Sequence, residues 1–272
     1  MIKIKAEKKD IIEDYFHKSV YTNSHLGWFD WWEIPRGNGS FWVDDSSKGY
    51  FIALQRSGSD TLWLHDFYAA SAPEGYPLAK TLRSVLPSGR HSVYTISSHN
   101  WFSNLLKENG FSASDEIIQL ETEDIFLPSL SYDSEINPFD TDLAEMICNT
   151  VETAFPPLWR FSLNELLYAW KCSNYKRIAC CNGQPAGYLL ADIQDDNAHI
   201  ERIAVSSVFH HTGIGSSLLN CMIRDCLSKG IGKFGVNTNR KNASAVSLYK
   251  KMNFRITGKT YPVFHRNIYG KL

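Results

Sequence analysis

The stretch that most constrains the fold is residues 200–226, IERIAVSSVFHHTGIGSSLLNCMIRDC. An apolar run ends in Ile203-Ala204-Val205, a polar loop follows, and Gly213-Ile214-Gly215 opens a helix. In that helix Ile214, Leu218, Met222 and Cys226 form one stripe, with Leu219 and Ile223 beside it. The segment thus reads as a strand, then a loop, then Gly-x-Gly opening a helix, part of an α/β fold. It also makes an anion site, because the first four helix amides have no internal partner and the helix dipole favours negative charge there. Gly213 and Gly215 let a phosphate approach the backbone, and the same two glycines would suit a tight strand–helix packing turn. The pattern lacks the third glycine of a dinucleotide fingerprint and the Gly-Lys-Ser/Thr of a P-loop, which excludes both of those sites.

The elements around this segment predict a mixed, mostly antiparallel sheet with helices on its faces. Thr141–Phe155 reads as a helix stopped by Pro156-Pro157. Ser162, with Glu165 three residues on, makes a capping box for a second helix. Tyr175–Cys181 and Gly187–Ile193 read as strands joined at an Asn182-Gly183 hairpin turn. A polar loop, QDDN, leads to a strand His199–Val205. After the long helix, ended by Gly230, come a strand Phe234–Thr238, a short helix capped by Asn242, and extended segments Arg255–Lys259 and Phe264–Tyr269.

The N-terminal half follows the same order in weaker form. Strands are expected at Ser40–Val43, Tyr50–Gln55, Thr61–Tyr68 and Ser92–Ser97, with a helix at Pro77–Leu86. NWFSNLLKENGF, residues 100–111, aligns with NASAVSLYKKMNF, residues 242–254, after one deletion. A chain of 272 residues has room for two domains. The expected division is 1–128 and 129–272, with the linker in the polar stretch 127–135. Trp28, Trp31 and Trp32 are expected to pack in a core or between the domains.

Charge and composition narrow the partners. Residues 1–128 carry 12 Lys and Arg against 17 Asp and Glu, and residues 129–272 carry 16 against 12. That excess is too small and too scattered for nucleic acid, while it would suit a small polyanionic ligand in the second half. The apolar runs fall far short of the roughly 20 residues that cross a bilayer, and MIKIKAEKKD lacks a signal-peptide core, so a cytoplasmic protein without membrane partners is expected. The cysteines at 148, 172, 180, 181, 221 and 226 have no metal-ligand spacing and are expected to be reduced, mostly packed thiols, with no metal bound.

Residues 132–272 resemble the GNAT superfamily of acyl-CoA N-acyltransferases. Its signature is a strand ending in a small apolar triplet, here Ile203-Ala204-Val205, then Arg/Gln-x-x-Gly-x-Gly/Ala, here His210-His211-Thr212-Gly213-Ile214-Gly215. A second motif, Asn-x-x-Ala-x-x-Leu-Tyr-x-x-x-Gly-Phe, is matched by Asn242, Ala245, Leu248, Tyr249 and Phe254. His210 replaces the usual Arg or Gln, and Asn253 replaces the Gly. Residues 1–126 resemble the family only as a degenerate copy without the Gly-x-Gly loop, which implies two GNAT-like domains in tandem, the first non-catalytic.

The resemblance implies acetyl-CoA as co-substrate and a small-molecule primary amine as acceptor. The loop amides of His211, Thr212, Gly213, Ile214, Gly215 and Ser216 would hold the pyrophosphate. The backbone of Ile203 and Val205 would bond the pantetheine arm, and Asn242 would touch it from the other side. Tyr249 would protonate the departing thiolate. His199 and Glu201, two apart on one strand, share a face and are candidates to take the amine proton. Trp159-Arg160-Phe161, at the joint of the first two helices, would line the acceptor site, with Arg160 suited to an acceptor carboxylate or phosphate. The tandem arrangement suits a monomer or a weak homodimer. A non-enzymatic acyl-CoA-binding regulator would keep the same loop. An aminoacyl-tRNA-dependent transferase fits less well, given the intact loop and the near-neutral charge.

Overall fold

The computed structural model describes residues 2–3, 19–24, 39–43, 50–56, 60–69, 71–86, 88–127, 135–138 and 140–270. Trp28, Trp31, Trp32 and most of the expected linker lie outside the described residues. In chain order the elements are β1 (Ile2–Lys3), β2 (Tyr21–Ser24), β3 (Gly39–Val43), β4 (Tyr50–Arg56), β5 (Thr61–Ala69), α1 (Leu78–Val85), β6 (Gly89–Ile96), α2 (Asn100–Glu108), β7 (Ser112–Thr122) and β8 (Glu135–Asn137). They continue with α3 (Ala144–Thr150), α4 (Leu163–Cys172), β9 (Tyr175–Cys181), β10 (Gln184–Gln194), β11 (Asn197–Val205), α5 (Ile214–Leu227), β12 (Lys233–Asn239), α6 (Ala243–Lys251) and β13 (Arg255–Gly270).

The chain forms two compact units, Met1–Glu116 with Tyr261–Leu272, and Ile117–Thr260. This differs from a division at 128. The reason is strand pairing, which the linker composition does not reveal. Residues 117–122 of β7 pair antiparallel with β12, so they belong to the second unit. Residues 263–270 of β13 pair antiparallel with β6, so the C-terminus belongs to the first. The two expected C-terminal segments are accordingly one strand, Arg255–Gly270.

In the second unit the strand order is β8-β9-β10-β11-β12-β7, with β11–β12 parallel and the other pairs antiparallel. Leu189, Ala191, Ala198 and Ile200 face a core closed by Ile214, Leu218, Met222 and Cys226 of α5. The expected helix 141–155 is broken into a 3₁₀ turn at Thr141–Leu143, α3, and a second 3₁₀ turn at Glu152–Ala154. The Ser162–Glu165 capping box forms as expected. Asn182 and Gly183 take φ of 50° and 72°, as the tight hairpin turn requires. QDDN is a tight turn too, because β10 runs to Gln194 and β11 begins at Asn197.

The first unit repeats this design. Its order is β1-β3-β4-β5-β6-β13, again with one parallel step, β5–β6. Phe67, Tyr76, Phe102 and Phe264 fill its core. The likeness extends to a β-bulge. The β4–β5 register slips so that Ile52 opposes Asp66 and Ala53 opposes Leu64, leaving His65 as the extra residue. The β10–β11 register slips in the same way, with Leu190 opposite Arg202 and Ala191 opposite Ile200, leaving Glu201 extra. Gly110 and Asn253, the expected counterparts, both have left-handed φ, 71° and 68°. All six cysteines are free; only Cys226 is buried and Cys172 is exposed, so most are less packed than expected. Among the described residues no helix is long and apolar enough to cross a membrane.

Candidate active site

The site is built where two parallel strands part. β11 and β12 are in register only from Asn197–Lys233 to Ile200–Val236. Beyond that point β11 continues to Val205 with β10 on one side, Gly187 opposite Val205 and Leu189 opposite Ile203. Among the described residues the β12-facing edge of residues 201–205 therefore has no strand partner, a row of main-chain groups open to an extended ligand except at Val205 O, which His210 reaches.

At the end of this edge the chain turns into α5. His211 and Gly213 take left-handed φ of 63° and 95°, and Gly213 is the helix N-cap. Among the described residues the amides of His211, Gly213, Ile214, Gly215 and Ser216 find no main-chain acceptor, whereas Ser217 N–H bonds Gly213 O at 2.9 Å. Successive left-handed turns followed by a free helix start concentrate N–H dipoles in a concave anion nest. Thr212 Oγ1 donates to Phe209 O at 2.8 Å and steadies the loop. His210 Nε2 lies 3.1 Å from Val205 O, so the residue in the usual Arg or Gln position closes on the strand end. Gly215 has room for a methyl group, with Leu248 and Val205 at 3.4 and 3.5 Å from a Cβ. The glycine that packing demands is Gly187, where a Cβ would stand 2.7 Å from Ala204 O and 3.1 Å from Ile214 Cγ2. Nothing in its sequence setting marks it.

His199 and Glu201 share the face opposite α5, and both feel the charge of Asp192. Burial pushes the Glu201 carboxyl up to about 7, with Asp192 adding to the shift. Burial lowers the His199 imidazole, against the pull of Glu121 and Asp192. One group is poised near neutrality and the other is held in its neutral, proton-accepting form. The bulge at Glu201 is what puts Arg202, its neighbour, on this same face.

Asn242 caps α6, its side-chain oxygen accepting from Ala245 N at 3.1 Å. Tyr249 is 3% exposed, packs 5.6 Å from the Phe254 ring and joins the α5-side core. Burial raises its phenol above the ordinary range, so it stays protonated.

The joint between α3 and α4 is organised by a residue that sequence reading missed. Arg202 grips Glu152 with two bonds, Nε to Oε1 at 3.1 Å and Nη2 to Oε2 at 2.7 Å. It also donates to Tyr188 OH at 2.8 Å and to Trp159 O at 2.9 Å. Its guanidinium is sandwiched 3.8 and 3.7 Å from the Phe155 and Phe161 rings. Tyr188 OH donates to Glu152 as well, and Glu152 Oε2 accepts from Phe161 N at 2.7 Å. Of the three expected acceptor residues, Phe161 and Trp159 are thus part of this clamp. Arg160 is spent on the joint itself, donating to Thr153 O and Phe155 O at 3.2 and 3.0 Å, which argues against a role in gripping an acceptor anion. The only signal available in the sequence was a lone Arg in an apolar strand. Among the described residues no cluster of His, Cys, Asp or Glu could hold a metal ion.

Comparison with known proteins matches this geometry. Residues 144–254 match the acetyltransferase (GNAT) family. An L-amino acid N-acetyltransferase from Escherichia coli is 29% identical over 126 residues, 43% of this chain and 75% of that protein. A ribosomal-protein alanine N-acetyltransferase from the same organism is 27% identical over 73 residues, 27% of this chain and about half, 49%, of its own length. A GNAT N-acetyltransferase from Sphaerobacter thermophilus superposes with a TM-score of 0.59 at 15% identity, covering 82% of this chain and 78% of that one. A tandem GNAT protein of the clavulanic acid pathway gives 0.58 at 10% identity, covering 86% and 84%. Those two share the fold across both halves of the chain. The parted strands and the anion nest both lie within residues 144–254, the segment that matches the GNAT acetyltransferases.

Proposed function

We propose that residues 117–260 transfer an acetyl group from acetyl-CoA to the primary amine of a small molecule, by direct attack while both are bound. The observation that carries this reading is the open edge of residues 201–205 leading into the free amides at His211–Ser216. An extended arm ending in phosphates fits that pair of features, and acetyltransferases of this family use acetyl-CoA. Ile203, Ala204 and Val205 line the arm, the loop from His210 to Ser216 takes the pyrophosphate, and Asn242 stands at the start of α6 on the far side.

Much of the rate would come from holding amine and thioester together. An amine arrives as an ammonium ion and must lose a proton before its lone pair can attack the carbonyl carbon. Glu201, or His199 beside it, accepts that proton directly or through a water. As the C–N bond forms and the C–S bond breaks, the thiolate sulfur takes a proton from Tyr249, and the second proton that the nitrogen sheds on becoming an amide restores the phenol.

Thiol release from acetyl-CoA tests this. A panel of primary amines should include one that yields stoichiometric free thiol and N-acetyl product. Saturable acetyl-CoA binding without turnover on any amine would instead support a non-enzymatic binding protein.

A further inference from the structure

The acceptor face of the second unit carries a registered row of side chains whose chemistry narrows the substrate. Asp192 of β10 opposes His199 of β11, His199 is in register with Gly235 of β12, and Gly235 opposes Glu121 of β7. Gly235 has no side chain, and its neighbours meet above it: a Cβ there would lie 3.2 Å from His199 Nδ1 and 3.8 Å from Glu121 Cγ. Glu201 follows one step along β11, at the mouth of the strand gap. Three carboxylates therefore flank one imidazole beside the strand gap.

Three cations of the second unit have partners of their own. Arg202 is held by Glu152, Arg160 by two main-chain carbonyls, and Lys176 lies 5.3 Å over the Trp170 ring. The acidic side chains are less engaged. Asp192 Oδ2 accepts from Gln194 Nε2 at 2.8 Å, and Glu121 Oε1 accepts from Gln119 Nε2. Among the described residues the second oxygen of each takes no donor.

Resting on the acyltransferase reading of this cleft, we propose that Asp192 and Glu121 are specificity-determining residues that select an acceptor with a second positive charge, a short aliphatic diamine or polyamine. The reacting nitrogen would sit by Glu201 and the distal ammonium by Asp192. Diagonal neighbours on adjacent strands lie roughly 7–8 Å apart, about the reach of a short diamine. Glu121, whose side chain meets His199 above Gly235, would receive the next nitrogen of a longer polyamine. An acceptor whose carboxylate adjoins its amine meets like charge here.

The test uses the full chain, acetyl-CoA, and three acceptors: putrescine, n-butylamine and L-leucine. Putrescine should exceed n-butylamine in kcat/KM by about tenfold or more, with L-leucine lowest, and the putrescine advantage should shrink at high salt. Asp192→Asn should bring the putrescine to n-butylamine ratio of kcat/KM close to one while leaving acetyl-CoA affinity unchanged. Glu121→Gln should act in the same way on spermidine. Both substitutions are nearly isosteric at partly exposed positions, and circular dichroism checks the fold. Turnover of n-butylamine or L-leucine at least as fast as putrescine, or unchanged selectivity in both variants, overturns the diamine proposal alone. Acetyl-CoA binding with no turnover of any amine overturns the acyltransferase reading along with it.

Discussion

At the scale of single residues, Glu201 has consequences for both stability and rate. Its carboxyl sits at about 7 in the folded protein against an ordinary 4.5. The native state thus keeps a proton that the unfolded chain releases. The stability this confers is full below about pH 4.5 and is lost as pH rises through about 7, a change of about 3 kcal/mol. Glu201→Gln should flatten that part of the stability–pH curve and make the protein more stable than wild type at pH 8, as read by urea unfolding. If Glu201 is the base, the same variant should lower kcat on the order of 10²-fold, and the wild-type rate should climb with an apparent pKa near 7. Tyr249→Phe separates chemistry from packing at the other end of the reaction. The ring and its contact with Phe254 remain, so acetyl-CoA affinity should hold while kcat falls by about 10²-fold. A wild-type rate would make Tyr249 a packing residue.

Among elements, the joint between α3 and α4 and the helix start of α5 respond to different changes. The joint is pinned by a buried ion pair, with Glu152 fully enclosed and Arg202 12% exposed. Arg202→Met strands the Glu152 charge and should cost about 3–5 kcal/mol in urea unfolding. Adding Glu152→Gln should recover part of that loss, because the stranded charge is then gone. Equal stability of the single and double variants would show that the aromatic sandwich carries the joint by itself. At α5, Gly213 holds φ at 95°, so Gly213→Ala strains the backbone by about 1 kcal/mol. Acetyl-CoA affinity should fall at least about tenfold, because the strain reorients the amides of the nest. A folded variant with unchanged affinity would show the loop to be a packing turn.

For the whole molecule, the two units share a strand order and a bulge yet differ in chemistry. Among the described residues only the second has the Gly-x-Gly helix start; in the first, α1 follows Pro77, which has no amide hydrogen. Calorimetry on the full chain should find one acetyl-CoA per chain, and two would show that the first unit binds as well. Because residues 263–270 pair with β6, removing Tyr261–Leu272 takes Phe264 and Ile268 from the first unit's core. That truncation should lower the first unit's melting transition, a loss that no domain boundary at 128 would foretell.

The sequence by itself determined the local devices, because each is set by a few neighbouring residues: the Ser162–Glu165 cap, the Asn182-Gly183 turn, the amphipathic stripe of α5 and the glycine start of its anion nest. It also carried the repeat, through periodicity that survives loss of the motif in the first half. Tertiary structure alone decided which strands are partners. β7 and β13 each serve two units, and strand pairing depends on register across the chain, which composition does not encode. It decided the bulge at Glu201 for the same reason, and with it the placing of Arg202 beside the base candidates. It turned Arg160 from a candidate anion ligand into a brace for its own loop, because a guanidinium with carbonyls in reach bonds them first. It gathered Asp192, His199 and Glu121 into one row from three separate strands. Charge in a cleft is a sum over residues far apart in the chain, so the fold has to be in place before the preference for a substrate can exist.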